Sequence, residues 1–182
     1  GDSYQAAALG RSNQLAIFLD STGRSYSLPA HTLPSARGQG EPLTGRLSPV
    51  SGATFISVMM GTDSDRYLLA SDAGYGFVGQ LENMQTKNKA GKALIKLPKG
   101  GLILPPVKVI DVDSEYLVAV SNEGRLLMFS LSELPELAKG KGNKIIGIPG
   151  VRVVEREEFV VALVVMSEED ELQVKAGRRK LT

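Results

Sequence analysis

Few residues of this chain have the types and spacing that catalysis or metal binding needs. The single histidine, His31, lies near a proline, and there is no cysteine, so the usual partners for a metal site or a catalytic triad are missing. Asp111 and Asp113 flank one residue at the end of a strand-like run, where exposed alternating acids are a simpler interpretation than a metal site. The sequence therefore favours a non-catalytic chain.

The stretch KGKGNK, residues 139–144, resembles a phosphate-binding loop at first sight. A P-loop requires the pattern G-x-x-x-x-G-K-[ST] between a strand and a helix. Here Lys141 is followed by glycine, and the residues after it are β-like, so the pattern does not match. An anion-binding loop remains, because glycine exposes backbone N–H groups and lysine attracts a polyanion. A solvated basic loop is the alternative.

Two earlier segments have the same character as this one. The three are LPSARGQGEPL (33–43), MQTKNKAGKALIKLP (84–98) and LPELAKGKGNKIIGIP (134–149). Their central glycines are Gly38, Gly91 and Gly140, and a flexible linker would not recur so regularly. The basic residues within four positions of these glycines are Arg37; Lys87, Lys89 and Lys92; and Lys139, Lys141 and Lys144. In register on successive repeats, they predict a basic track that suits a duplex on a curved surface.

A hairpin-like run precedes each of these segments. The runs are LAIFLDSTGRSYSL (15–28), YLLASDAGYGFV (67–78) and YLVAVSNEGRLLMF (116–129), with Gly23, Gly74 and Gly124 spaced 51 and 50 residues apart. A fourth run, LQVKAGRRKL, places Gly177 another 53 residues on. Each has a three-residue polar loop ending in glycine, which predicts a type I turn followed by a left-handed residue.

Further strand-like runs at 50–60 and 104–112 complete units of four strands, and helix signals are weak. The pattern predicts a single all-β domain over 1–182, with repeats near 15–60, 67–112 and 116–165 and a partial fourth at 171–182. Without tryptophan the WD signature is impossible, and the double glycine of kelch repeats is missing. A propeller-like protein-interaction module remains as an alternative function.

The charge of +1 is unevenly distributed. Residues 153–171 hold one arginine and seven acids, and we expect the acidic stretch 155–171 to be a solvated loop and turn around the apolar run FVVALVVM. A limit on the path of DNA is its alternative role. No apolar run is long enough to span a bilayer, and the missing cysteines fit a reducing cytoplasm. The first residue is Gly1, so a fragment of a longer protein is expected.

Several long runs resemble one bacterial family over nearly the whole chain. FLDSTGRSYSLPAHTLPSARGQGEPLTG, ASDAGYGFV, NKAGKALIKLP and KGKGNKIIGIP are similar to the C-terminal domain of the A subunit of bacterial DNA topoisomerase IV, in the gyrase A C-terminal domain family. The resemblance implies a β-pinwheel, a propeller-like array of four-stranded blades that exchange strands, here incomplete or open. It implies no catalytic residue, metal or cofactor in this domain of an ATP-dependent type II topoisomerase.

The resemblance also implies a function and partners. The domain would bind and bend double-stranded DNA on a basic rim, positioning the transported duplex for decatenation and supercoil relaxation. Its other partners would be the catalytic core of its own polypeptide and the topoisomerase IV B subunit, in the bacterial cytoplasm, on the chromosome and without membrane contact. Arg24 and Arg125, just after hairpin glycines, join the lysines and Arg37 as candidates. The gyrase box Q-R-R-G-G-K-G has no full match, so we expect weaker bending than in gyrase.

Overall fold

Short antiparallel strands make up most of the structure, a computed structural model that describes residues 3–176 and 179–181. The strands are β1 Leu15–Asp20, β2 Arg24–Pro29, β3 Phe55–Met59, β4 Arg66–Ser71, β5 Tyr75–Gln80, β6 Lys92–Ala93, β7 Val107–Val109, β8 Tyr116–Ser121, β9 Leu126–Ser130, β10 Asn143–Lys144, β11 Val160–Met166, β12 Val174–Ala176 and β13 Arg179–Leu181. Two short helices, α1 (Leu81–Met84) and α2 (Gly150–Val154), and single 3₁₀ turns at 30–32, 43–45 and 131–133 interrupt them. The all-β prediction is confirmed.

The three predicted hairpins form as β1–β2, β4–β5 and β8–β9. In each, the N–H of the loop glycine donates to the carbonyl oxygen three residues earlier, at 3.1 Å for Gly23 and Gly74 and at 3.0 Å for Gly124. The φ angles of these glycines are +86°, +85° and +77°, a region that glycine enters without steric cost. The fourth hairpin pairs β12 with β13, while Gly177 lies outside the described residues.

Strands are exchanged between successive repeats. One sheet has the order β3-β1-β2-β6 and the next β10-β5-β4-β7, so each contains a strand from the repeat that follows it. The third sheet, β11-β8-β9, has three strands within the described part of the chain. The four-stranded blade with strand exchange is therefore present twice.

The strand exchange aligns the basic segments with the hairpins differently from the alignment that the sequence repeat predicts. The carbonyl of Gly23 accepts the N–H groups of Leu94 and Ile95, and that of Gly74 accepts those of Ile145 and Ile146. Gly91 lies 68 residues after Gly23, and Gly142 lies 68 residues after Gly74. The second and third basic segments thus pair with the hairpin of the preceding repeat, and the structural counterpart of Gly91 is Gly142 rather than Gly140.

A second link ties each hairpin loop to a later part of its own repeat. The first residue of the loop donates its N–H to a distant backbone carbonyl, and its side-chain oxygen accepts the N–H of that same distant residue. The pairs are Ser21 with Thr54, Asp72 with Leu102 and Asn122 with Phe159. In the first and third repeats these bonds extend the pairing of an outer strand, β3 or β11, to the hairpin loop. The side-chain acceptor that they need explains why small polar residues recur at this loop position.

The two largest clusters of the hydrophobic core lie between blades, while a smaller one around Tyr26 lies within the first repeat. Side chains of a strand alternate between its two faces, so Leu69 packs with Ile17 of the first repeat while the adjacent Leu68 packs with Leu117 of the third. All four are almost fully buried. Burying each such side chain stabilises the fold by about 1.5–3 kcal/mol, and the middle blade is therefore buried on both faces.

Candidate nucleic-acid interface

The second basic segment is fixed by the first hairpin. After α1, the chain turns at Gly91, whose φ is +71° and where a Cβ would lie 2.7 Å from the carbonyl oxygen of Ser25. The Arg24 guanidinium donates to the carbonyl oxygens of Ala90 at 3.1 Å and Gly91 at 2.8 Å. This anchoring leaves Lys87 and Lys89 exposed.

The third segment repeats the arrangement on the second hairpin. Strand β10 pairs with β5, and Gly142 turns with a φ of +79° so close to the Gly76 carbonyl that a Cβ would collide with it. Lys139, Lys141 and Lys144 are exposed. The Lys141 ammonium lies 4.2 Å from the centre of the Tyr75 ring, a cation–π contact worth about 0.5–1 kcal/mol at an exposed site.

Hydrogen bonds join the two segments directly. The N–H of Gly140 donates to the carbonyl oxygen of Leu94 at 3.0 Å, and the N–H of Lys96 donates to the carbonyl oxygen of Gly140 at 2.9 Å. Six predicted contact residues therefore lie on two adjacent, mutually anchored loops. They are Lys87, Lys89, Lys92, Lys139, Lys141 and Lys144, of which only Lys92 is half-buried.

The first segment follows a different course. Residues 33–43 belong to no strand, and Arg37 is exposed in a turn that the Gly38 N–H closes on the Ser35 carbonyl. The chain reaches the second segment only later, where the N–H of Ser48 donates to the Lys89 carbonyl at 2.8 Å. The expected equivalence of all three segments is thus limited to the second and third.

Arg24 and Arg125 both bind protein acceptors. Besides the Arg24 bonds to the second segment, Arg125 donates to the carbonyl oxygen of Gly147 at 2.8 Å and to a carboxylate oxygen of Glu158 at 2.6 Å. Each arginine thus attaches its hairpin to a backbone carbonyl of a basic segment. Their contact with DNA stays a prediction.

Within the described residues, arginines form ion pairs with acids and lysines do not. Over residues 3–176 and 179–181 there are seven side-chain ion pairs within 4.0 Å, and an arginine supplies the cation in every one. Eight of the eleven lysines lie at 87–99 or 139–144, and neither stretch contains an acid. Like charges gathered in this way repel one another, and a bound polyanion would relieve that repulsion.

Near the beginning of the acidic stretch, Glu155 and Glu157 are exposed as the sequence predicts, but Glu158 is not. Glu158 is 1% exposed and accepts hydrogen bonds from Arg125 and Arg152. The Arg125 hydrogen bond is the main cause that holds the pKa of Glu158 below its usual value. Arg156, at a φ of +57°, donates to Asp72 at 2.8 Å and so joins this stretch to the second hairpin. Residues 168–171 are exposed, as expected.

The residues that the sequence offered for catalysis or metal binding, His31, Asp111 and Asp113, lie in turns. His31 is exposed in a 3₁₀ turn. Asp111 accepts hydrogen bonds from the N–H of Asp113 and the hydroxyl of Ser114, which closes a turn. In the described part of the chain, no cluster of three or more His, Cys, Asp or Glu residues suits a metal ion, and no helix is long and apolar enough to cross a membrane.

Comparisons with known proteins agree with this architecture. The DNA gyrase C-terminal domain family, described as a β-propeller, matches residues 115–166. The chain is 59% identical over 182 residues to the A subunit of DNA topoisomerase 4 from Pseudomonas aeruginosa and 50% identical over 181 residues to that from Escherichia coli K12. All of this chain is covered in both cases, but it spans only 24% of the length of either relative.

Solved structures extend the comparison to the fold. The E. coli ParC C-terminal domain matches with a TM-score of 0.88 and 47% identity, over 94% of this chain and 69% of that one. A DNA gyrase A C-terminal domain matches with a TM-score of 0.62 at 17% identity, which shows a common fold alone. The matched region is a C-terminal domain of a longer protein, in line with the predicted non-catalytic role. The chain belongs to the family of C-terminal domains found in the A subunit of topoisomerase IV, and it has the β-pinwheel fold of that family.

Proposed function

We propose that this domain binds duplex DNA along the rim that its second and third basic segments form. The contact residues would be Lys87, Lys89, Lys92, Lys139, Lys141 and Lys144, with Arg37, Arg24 and Arg125 as further contacts. The observation that carries the proposal is that these lysines lie on adjacent anchored loops without acidic partners in the described part of the chain.

Binding of this kind would depend on phosphates and not on base sequence. Lysine ammonium groups on glycine-rich loops suit the backbone of a duplex, whereas reading bases in the major groove usually takes a longer helix or a β-ribbon. Loops on successive blades would lead the duplex along a curve, so bending is part of the proposal. Without a full gyrase box, the bend would be weaker than in gyrase.

The relatives extend this proposal to the whole protein. Since they are the A subunits of DNA topoisomerase 4, we propose that the parent protein is a type II topoisomerase acting in decatenation and supercoil relaxation. Its catalytic core and a B subunit would be the partners of this domain, on the chromosome in the bacterial cytoplasm. Within that assembly, the domain would position the transported duplex.

Salt-dependent DNA binding tests the proposed rim. Replacing Lys139, Lys141 and Lys144 together by alanine should weaken binding to a duplex about tenfold or more. The plot of log affinity against log salt should lose about 0.9 in slope for each phosphate contact removed. Fluorescence anisotropy with a labelled duplex, from about 50 to about 200 mM salt, measures both quantities.

A control variant removes two exposed lysines from other places, Lys108→Ala and Lys175→Ala. Lys108 lies on β7, which pairs with β4 on the side away from β10. This variant should keep almost the full slope of the unmodified domain. If the triple variant binds DNA as tightly and with the same slope as the control, the rim does not bind DNA.

A further inference from the structure

Two grooves lie against the second and third segments, and each is bordered by one lysine from either side. The first, of about 620 Å³, is lined by Thr22, residues 93–97, Lys139 and Gly140. The second, of about 490 Å³, is lined by Tyr75, Pro98, Lys99, Lys141 and the region of α2. Lys96 thus shares a groove with Lys139, and Lys99 shares one with Lys141.

Backbone contacts hold the first pair of lysines together. The Lys96 N–H donates to the Gly140 carbonyl at 2.9 Å, so the two chain segments touch at the groove that Lys96 and Lys139 border. Both side chains are exposed. The acid nearest to Lys139 in sequence, Glu136, is occupied by Arg66 at 2.7 Å and by Gln80. Two exposed lysines therefore border one groove, and within the described residues neither of them forms an ion pair with an acid.

The second pair is held by an aromatic ring and a short helix. Tyr75 holds Lys141 through the cation–π contact, while Lys99 begins the loop that reaches α2. That loop touches the helix closely, because a Cβ at Gly100 would lie 2.7 Å from the Cα of Val154. The half-exposed valines Val151 and Val154 then form an apolar wall beside the lysines.

We propose that each groove receives a phosphate of a single DNA strand, bound by Lys96 with Lys139 in one and by Lys99 with Lys141 in the other. The inference rests on the proposed DNA binding and adds Lys96 and Lys99 to it. Two ammonium groups suit the charge of a phosphodiester backbone, and the apolar walls suit the carbon face of the neighbouring sugar. Neither lysine belongs to the glycine-centred part of a segment, which is why the repeat pattern does not indicate them.

The test measures the duplex affinity of three double variants over a range of salt concentrations. Lys96→Ala with Lys99→Ala should lower the affinity several-fold and reduce the salt slope by about 2, one unit for each lost contact. Lys96→Arg with Lys99→Arg keeps both charges and should keep the slope. The control variant Lys108→Ala with Lys175→Ala loses the same amount of charge at other positions, and it should also keep the salt slope of the unmodified domain.

The outcomes separate this inference from the proposed function. If the unmodified domain does not bind duplex DNA, the proposed function itself fails. If the domain binds and the triple variant at 139, 141 and 144 is weakened, but Lys96→Ala with Lys99→Ala behaves like the control, only the groove assignment is overturned. Polyglutamate is the probe for an acidic protein segment. Loss of polyglutamate binding in the Lys96→Ala, Lys99→Ala variant with an unchanged duplex slope would likewise overturn the assignment to DNA.

Discussion

At the residue scale, arginine and lysine have separate roles because their side chains differ in geometry. A guanidinium presents several N–H groups in a flat fork and binds two acceptors at once, whereas an ammonium is a compact charge on a flexible stem. Arg24 accordingly binds two carbonyls, and Arg125 binds a carbonyl and a carboxylate. The lysines of the rim have no such partner in the described residues. Residue type thus distinguishes cations that bind protein acceptors, such as Arg24 and Arg125, from the rim lysines, which bind no acid in the described residues.

A buried tyrosine makes the stability of the domain sensitive to alkaline pH. Burial, together with the hydrogen bond that the Tyr26 hydroxyl donates to Asp20 at 2.7 Å, raises the pKa of Tyr26 to about 12. The unfolded chain loses this proton near pH 10, before the folded one does, so stability should fall as pH rises from about 10 towards 12.

Urea denaturation between about pH 9 and about pH 11 measures the effect. Tyr26→Phe cannot ionise at this position and should lose less stability over that range than the unmodified domain, although it starts from a lower value at neutral pH. Equal losses in the two proteins would show that Tyr26 does not cause the alkaline instability.

At the element scale, the structure depends on strands that pair far along the chain. The hairpins follow from local signals, namely apolar runs on either side of a three-residue loop that ends in glycine, and the structure has all three where the sequence places them. The pairing of β6 with β2 and of β10 with β5 joins segments almost seventy residues apart. No local signal sets that register. The sequence pattern therefore predicts Gly140 as the counterpart of Gly91, whereas in the structure the counterpart is Gly142.

The same limit applies to the site. Glycine and lysine composition was enough to indicate the second and third segments. The roles of Arg24 and Arg125 depend on which carbonyl lies opposite, and the burial of Glu158 depends on two arginines that reach it from other elements. Helix α2 has five residues and no side-chain cap, so its sequence does not predict a helix. Contacts of this kind become visible only once the blades are assembled.

Alanine at two glycines separates the cost of a left-handed residue from the cost of a steric clash. Gly124 and Gly142 have similar φ angles, +77° and +79°, but nothing lies within 4 Å of a Cβ at Gly124, whereas one at Gly142 would collide with Gly76. Gly124→Ala should cost about 1–2 kcal/mol in free energy of unfolding. Gly142→Ala should cost more, because β10 must move away from β5.

Urea denaturation gives both free energies, and duplex affinity reports on the third segment. Gly142→Ala should also weaken DNA binding, since its lysines lose their fixed positions, while Gly124→Ala should leave binding unchanged. Equal destabilisation of the two variants would mean that β10 is not held tightly against β5.

At the scale of the whole molecule, neighbouring blades share a hydrophobic core, and the charged residues are unevenly distributed along the chain. The middle blade packs on both neighbours, as Leu68 and Leu69 show, so we propose that the repeats form one folding unit and not separate modules. Eight of the eleven lysines lie at 87–99 or 139–144, and four consecutive exposed acids lie at 168–171. A net charge of +1 therefore conceals a surface with a strongly basic rim.

Duplex length should distinguish bending from plain charge attraction. A duplex of about 20 base pairs should contact only part of the rim, whereas one of about 60 base pairs is long enough to follow several blades and to bend. We expect tighter binding to the longer duplex, beyond the effect of its larger number of sites, and a measurable approach of its ends by energy transfer. Equal affinity per site and no approach of the ends would contradict bending.

The exchanged strands also restrict how this domain could be recombined or dissected. Since β10 completes the sheet of the second hairpin, a cut near residue 114 would leave that sheet without an outer strand and attach β10 to a fragment where it has no pairing partner. A repeat of the sequence and a unit of the structure therefore have different boundaries. Since β6 of the first sheet comes after β4 and β5 of the second sheet along the chain, no single breakpoint separates these two sheets, and a contiguous segment for shuffling or grafting would have to span more than one blade.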